Sequence, residues 1–136
     1  AAHAAALTIQ EALVAMIKPG MLCEEVYGRS VELAAELGLE EHFMGIGNDR
    51  VRFIGHGVGL EFHEEPWVGY NSRRGTQMVL APGMIFTIEP MVNMGGVEIF
   101  IDEENDWEVY TEDGMPSAQW EIMVLVTEDG HEVLSW

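Results

Sequence analysis

Apolar residues recur at steps of three and four through Ala2, Ala6, Ile9, Leu13 and Met16, the stripe of an amphipathic helix. Lys18-Pro19-Gly20 ends it, because proline has no N–H with which to continue the ladder. A second stripe, Leu22, Val26, Leu33 and Leu37 helped by Val31 and Ala34, runs to Gly38, a residue suited to a left-handed helix stop. Glu24 and Glu25 stand near its positive N-terminal end. After about residue 50 the pattern changes to short β-like runs broken by Gly, Pro and acidic turns, which predicts strands over 51–54, 84–88, 97–101, 107–111, 119–127 and 132–136. Ile99 with Ile101, and Val109 with Thr111, alternate with residues that could be solvated, as in a sheet buried on one face. The order predicts an α+β fold, two N-terminal helices packed on a curved antiparallel sheet, with residues 1–136 forming a single domain. Residues 45–49 read as the loop joining helices to sheet.

Charge narrows the function. Six Lys and Arg stand against 24 Asp and Glu, a formal net charge of −18. A surface of this sign repels nucleic acid and anionic lipid, and leaves metal ions and basic partners as the favoured company. Hydrophobic content of 48 % is that of a packed domain rather than an acidic disordered tail. Cys23 is the one cysteine, so no intrachain disulfide forms, and a reducing compartment is expected. With no apolar run of the length of a membrane span and no basic-then-apolar leader pattern, the expected location is the cytoplasm, away from membranes. The sequence opens at Ala1 with neither an initiator Met nor a capping residue; the expectation is the later piece of a longer polypeptide.

Three polar stretches interrupt the apolar strand text. In GHGVGLEFHEEP, residues 55–66, His56 and His63 lie in a glycine-rich segment whose backbone can come close to a ligand. In FTIEP, Glu89 ends an apolar strand, and in SAQWEIMV, Glu121 precedes one. Taken singly, each has an ordinary reading: a hydrogen-bonded histidine, or a strand-end carboxylate facing water. Together, one imidazole and two carboxylates on separate strands make a plausible set of ligands for a divalent ion, since a core carboxylate is costly unless paired or metal-bound.

The ordered text GHGVGLEFHEEP, LAPGMIFTIEPMVN, DWEVYT and SAQWEIMVLVTEDG resembles the C-terminal half of the pita-bread metallopeptidases, the methionine aminopeptidases and their Xaa-Pro-cleaving relatives. The resemblance implies that His56, Glu89 and Glu121 are metal ligands and that His63 and Glu89 are catalytic. Glu89 would serve as both ligand and proton acceptor, Glu121 as the bridge between two ions, and His63 as hydrogen-bond donor to substrate and developing oxyanion. It implies two divalent ions per complete site, with Mn, Fe, Co and Zn all compatible with the donor set, and peptide N-termini as substrates. Phe62 and Trp107, together with His63, match positions that bind substrate in methionine aminopeptidases; the two aromatics read equally well as core residues. SAQWE favours methionine cleavage, while FMGIGNDRVRFIGHGVGLE resembles the Xaa-Pro peptidases.

The family also draws two aspartates and a histidine from its N-terminal half, and none of Asp49, Asp102, Asp106, Asp113 or Asp129 occupies a matching motif. Three ligands are expected to hold one ion weakly or none. The chain alone is therefore expected to be a very poor peptidase, and the missing half or a second copy in a homodimer is expected to cover its apolar surface. A peptide-binding module without catalysis is the reading from another class.

Overall fold

The computed structural model describes residues 1–69 and 78–135. Two helices, α1 (Ala2–Met16) and α2 (Cys23–Glu36), precede nine strands. These are β1 (Phe53–Gly57), β2 (Glu64–Gly69), β3 (Ile85–Ile88), β4 (Met91–Asn93), β5 (Ile99–Ile101), β6 (Val109–Thr111), β7 (Ser117–Gln119), β8 (Ile122–Val126) and β9 (His131–Val133). The expected α+β layout is present: α1 packs on β3, β4 and β7, and α2 on β1 and β2.

Both helices form for the reasons their sequences suggest. Ala2, Ala6, Ile9 and Leu13 are buried on one face of α1, and burial of such a stripe stabilises a helix more than propensity does. At the start of α2, Glu25 reaches back to accept the Leu22 N–H at 2.8 Å, satisfying one of the free donors of the first turn. Gly38, with φ +68°, ends it, and the Leu39 N–H returns to the Ala34 carbonyl.

The main sheet has the order β2-β1-β3-β8-β9, antiparallel throughout. Along β3 the buried Phe86 and Ile88 alternate with Thr87 and the residue after the strand, Glu89. Phe86 and Ile88 belong to the core with Ile54, Val68 and Val124, and from α1 the buried Gln10 amide donates to the Ile88 carbonyl at 3.3 Å. Thr87 and Glu89 thus stand on the opposite face.

Five strand expectations are corrected. The strand expected at 51–54 runs from Phe53 to Gly57, carrying its glycines because the neighbours leave no room for a side chain. A Cβ on Gly55 would collide with the Thr87 carbonyl, and one on Gly57 with the Glu65 carbonyl. Charged, proline-containing Glu64–Gly69 is strand because it lies at the sheet edge, where proline is tolerated. The single strand expected at 119–127 is two, β7 and β8, interrupted at Trp120-Glu121. Finally, β5 and β6 form a separate two-stranded ribbon with no face buried. The last expected strand is shorter, His131–Val133, and its predicted end Trp136 lies outside the described residues.

Two outcomes follow from this packing. Gly55→Ala should destabilise the fold by about 1–3 kcal/mol or more, because rigid backbone rather than a movable side chain blocks the methyl; urea unfolding measures it, and Gly130→Ala, whose Cβ would meet only Thr127 Oγ1 at an ordinary 3.9 Å, controls for the bare change of residue. Burial pushes the Cys23 thiol up to about 11 from 9.0. The buried neutral thiol contributes its full share of stability below about pH 9 and loses it as pH rises toward 11. At pH 8 a disulfide reagent should therefore label Cys23 only as fast as the chain opens, and immediately in urea.

Candidate metal centre

Three strands bring the centre together. On β1, His56 lies between two irregularities of the β1–β2 register, the kind of local kink that re-aims a side chain. The neighbouring pair Gly57↔Phe86 places His56 beside Thr87 on β3, and the His56 N–H donates to Thr87 Oγ1 at 3.0 Å. One residue beyond β3, the Glu89 N–H still bonds the Ile54 carbonyl of the β1 segment at 2.8 Å, so Glu89 keeps strand geometry and shares its face with Thr87.

The third group comes from the break between β7 and β8. Ile88 pairs with Ile122 and Met91 with Gln119, so the register runs unbroken across the gap and sets Glu89 opposite Glu121. Pro90 has no N–H to give the ladder here; Trp120 N–H to Pro90 carbonyl, at 3.4 Å, is what remains. Like charges directly opposite one another are destabilising. His56, Glu89 and Glu121 each offer one ligand atom within 4.8 Å of the others', a mixed imidazole and carboxylate set suited to a divalent ion.

Hydrogen bonds fix the ligand atoms. His56 Nδ1 lies 3.0 Å from the Gly57 carbonyl; a proton there leaves Nε2, 3.2 Å from Glu89 Oε1, as the ring's lone-pair nitrogen. Glu89 Oε1 accepts from the Thr87 hydroxyl at 3.0 Å, and Oε2 from the Gln119 amide at 2.9 Å. Burial is the main cause that raises the Glu89 pKa, with the Glu121 charge adding to it, against the Thr87 hydrogen bond and the two histidines, which lower it. A nearby cation would act in the same sense as the histidines and favour the carboxylate.

His63 is exposed between β1 and β2, its ring 4.3 Å from that of His56. Phe62 meets the His63 ring edge-on at 4.6 Å, and Trp67 lies parallel to it at 6.4 Å. A cavity of about 280 Å³ adjoins the centre, lined among others by His56, Phe62, Thr87, Glu121, Ile122 and Met123. The structure thus brings together His56, His63, Phe62, Glu89 and Glu121. Trp107 stands apart, just before β6 and 84 % exposed, outside that cavity and outside the ring cluster. Thr87, Gln119 and Trp67 were not singled out from the sequence; the two-residue period of strands puts Thr87 on the face of Glu89 and Gln119 on that of Glu121, which is the signal that points to them.

Comparison with known proteins agrees with this arrangement. Residues 1–128 match metallopeptidase family M24. The chain is 45 % identical over 133 residues to a methionine aminopeptidase of Chlamydia pneumoniae, covering 96 % of this chain and 42 % of the relative. It is 42 % identical over 120 residues to that of Escherichia coli strain K12, covering 88 % and 42 %. Among solved structures it superposes on methionine aminopeptidase from Rickettsia prowazekii with a TM-score of 0.65 and 29 % identity, over 96 % of this chain and 49 % of that one. On prolidase from Pyrococcus furiosus the TM-score is 0.72 at 28 % identity, over 98 % and 31 %. The chain spans less than half the length of these relatives. With a family match over nearly its whole length and the expected ligand types converging on three strands, the chain belongs to metallopeptidase family M24.

Proposed function

We propose that this chain carries one side of the active site of a divalent-metal-dependent aminopeptidase, with N-terminal methionine the favoured residue. The observation that carries the reading is the convergence of His56, Glu89 and Glu121 ligand atoms within 4.8 Å across three strands. Two of these are carboxylates facing each other, an arrangement that a cation stabilises and an empty site does not. Mn, Fe, Co and Zn all suit this donor set. Further oxygen ligands for a second ion come, in this reading, from polypeptide outside residues 1–136.

When bound, divalent ions supply Lewis acidity toward a peptide carbonyl and make water a better nucleophile near neutral pH. The residues of this chain do the rest. Glu89, with its two oxygens oriented by Thr87 and Gln119, accepts the proton of the attacking water and passes it toward the leaving amine. His63, exposed and steadied by the Phe62 and Trp67 rings, donates a hydrogen bond to the substrate carbonyl as charge builds on its oxygen. The apolar side of the cavity, from Phe62 to Met123, takes the side chain of the first residue, where a thioether packs well against an aromatic ring. Trp107 is not among the residues lining that cavity. The identity of 42–45 % to methionine aminopeptidases favours methionine, while the prolidase superposition supports Xaa-Pro cleavage as the second reading.

Metal binding tests the centre. Calorimetry of the metal-free chain with Co²⁺ should give a saturable isotherm. His56→Ala, Glu89→Ala and Glu121→Ala should each weaken it by more than the roughly 10–100-fold that loss of a supporting hydrogen bond costs; equal affinity in all four proteins would sink the centre. Hydrolysis tests the chemistry. Turnover of a methionyl peptide should be slow, abolished by a chelator, and lost in Glu89→Gln. Faster release from an Xaa-Pro peptide would transfer the assignment to the second reading.

A further inference from the structure

Thr87 touches two of the three candidate ligands through a single hydroxyl. Its Oγ1 accepts the His56 N–H at 3.0 Å and donates to Glu89 Oε1 at 3.0 Å. A backbone N–H can only donate and an ionised carboxylate can only accept, so the hydroxyl hydrogen lies toward Glu89. Donors aligned head to tail polarise one another, and the N–H behind the oxygen strengthens the donation in front of it. A buried threonine is satisfied by any nearby carbonyl; this one joins the backbone of one candidate ligand to the carboxylate of another.

None of these contacts depends on an exposed surface. Thr87 is 3 % exposed and His56 4 %, and the Thr87 backbone is held in register with Met123 of β8. Polypeptide from outside residues 1–136 laid over this face would bury the three groups further and leave their mutual bonds as they are. The anchor is also stiff: a β-branched side chain has restricted χ1 freedom, and strand pairing fixes its backbone. Glu89 by itself is the opposite, a long side chain whose torsions are free in water. Gln119, which donates to Glu89 Oε2 at 2.9 Å, is exposed and equally long, so it follows the carboxylate more than it anchors it. With Oε1 held, 3.2 Å separates it from His56 Nε2. Two donors each about 2.0–2.2 Å from one divalent ion stand roughly 3–3.5 Å apart, so the spacing suits an ion without rearrangement of either side chain.

We propose that Thr87 is a positioning residue, whose hydroxyl sets Glu89 Oε1 beside His56 Nε2 in the metal-free chain and so makes Oε1 the oxygen that Glu89 gives to the ion. The role rests on the metal centre proposed above. Its effect is preorganisation: freedom removed from Glu89 on folding is freedom that metal binding no longer has to remove.

The test begins with the metal-free, ¹³C- and ¹⁵N-labelled chain. Three-bond couplings should show Glu89 in a single χ1 rotamer in the wild type and averaged over rotamers in Thr87→Val, which keeps the branching and loses the hydroxyl. Calorimetry with Co²⁺ should then find Thr87→Val about 10–100-fold weaker, the usual cost of losing an outer hydrogen-bond partner, and Thr87→Ser, which restores the hydroxyl, within about threefold of wild type. Averaging of Glu89 in the metal-free wild type overturns the proposal, and because it needs no variant it does so even where Thr87→Val does not fold. Unchanged Co²⁺ affinity in Thr87→Val overturns it too, as does a Thr87→Ser protein as weak as Thr87→Val. A wild-type chain that binds no Co²⁺ yet holds one Glu89 rotamer counts against the metal centre instead. The rotamer in Thr87→Val then decides the role of Thr87, and a Glu89 still fixed without the hydroxyl overturns it.

Discussion

The centre depends on how closely β1 lies against β3. His56 is aligned with Thr87 only because Gly55 and Gly57, on either side of it, allow the Thr87 and Glu65 carbonyls into space a methyl would fill. That approach lets the His56 N–H reach the Thr87 hydroxyl and the Thr87 hydroxyl reach Glu89. One threonine thus ties the backbone of one candidate ligand, His56, to the side chain of another, Glu89. The glycines cost backbone entropy in a strand, and what they allow is a polar contact between two buried strands that larger residues would wedge apart.

The second constraint is register. Because the β3–β8 and β4–β7 ladders keep one register across the gap between them, Glu89 and Glu121 fall opposite each other. The interruption at Glu89-Pro90 and Trp120-Glu121 leaves the carboxylates at a seam in the ladder. On the opposite face the same seam is held by helix α1, where Gln10 donates to the Ile88 carbonyl and His3 lies 5.0 Å from the Trp120 ring. Helix α1 therefore does more than cover the sheet: it holds the strand ends that carry Glu89 and Glu121.

Much of this was legible in the sequence. The helical stripes, the α+β order and the ligand types in GHG, TIEP and SAQWE are local patterns, each readable within a dozen residues, and the spacing of the motifs adds the family likeness. What escaped is non-local. The extension of β1 into a glycine pair contradicts strand propensity and makes sense only once β3 is alongside. Strand β2, with Glu64-Glu65-Pro66, reads as a turn until its edge position is known. The break at Trp120-Glu121 lies inside text that favours one long strand, because its cause is Pro90 on the partner. Thr87 and Gln119 were within reach of a two-residue period but carry no chemistry that draws notice alone.

Charge organises the molecule at a larger scale. A net charge of −18 spread evenly would only keep the chain soluble and repel itself. Here it is uneven: every Lys and Arg falls within the first 74 residues, while both candidate carboxylate ligands and the acidic ribbon lie beyond. The sequence that follows Arg74 is thus almost purely anionic, with neither Lys nor Arg and with His131 as its one histidine. Such a field lowers the free energy of any cation entering it, and it does so for a metal ion at the buried centre more than for one at the rim, since water screens the rim. The same field raises the cost of leaving Glu89 and Glu121 ionised face to face. Selectivity for cations and the strain of the uncompensated site therefore have one origin, and the ligand set cannot be made a stronger attractor without also becoming a costlier empty site.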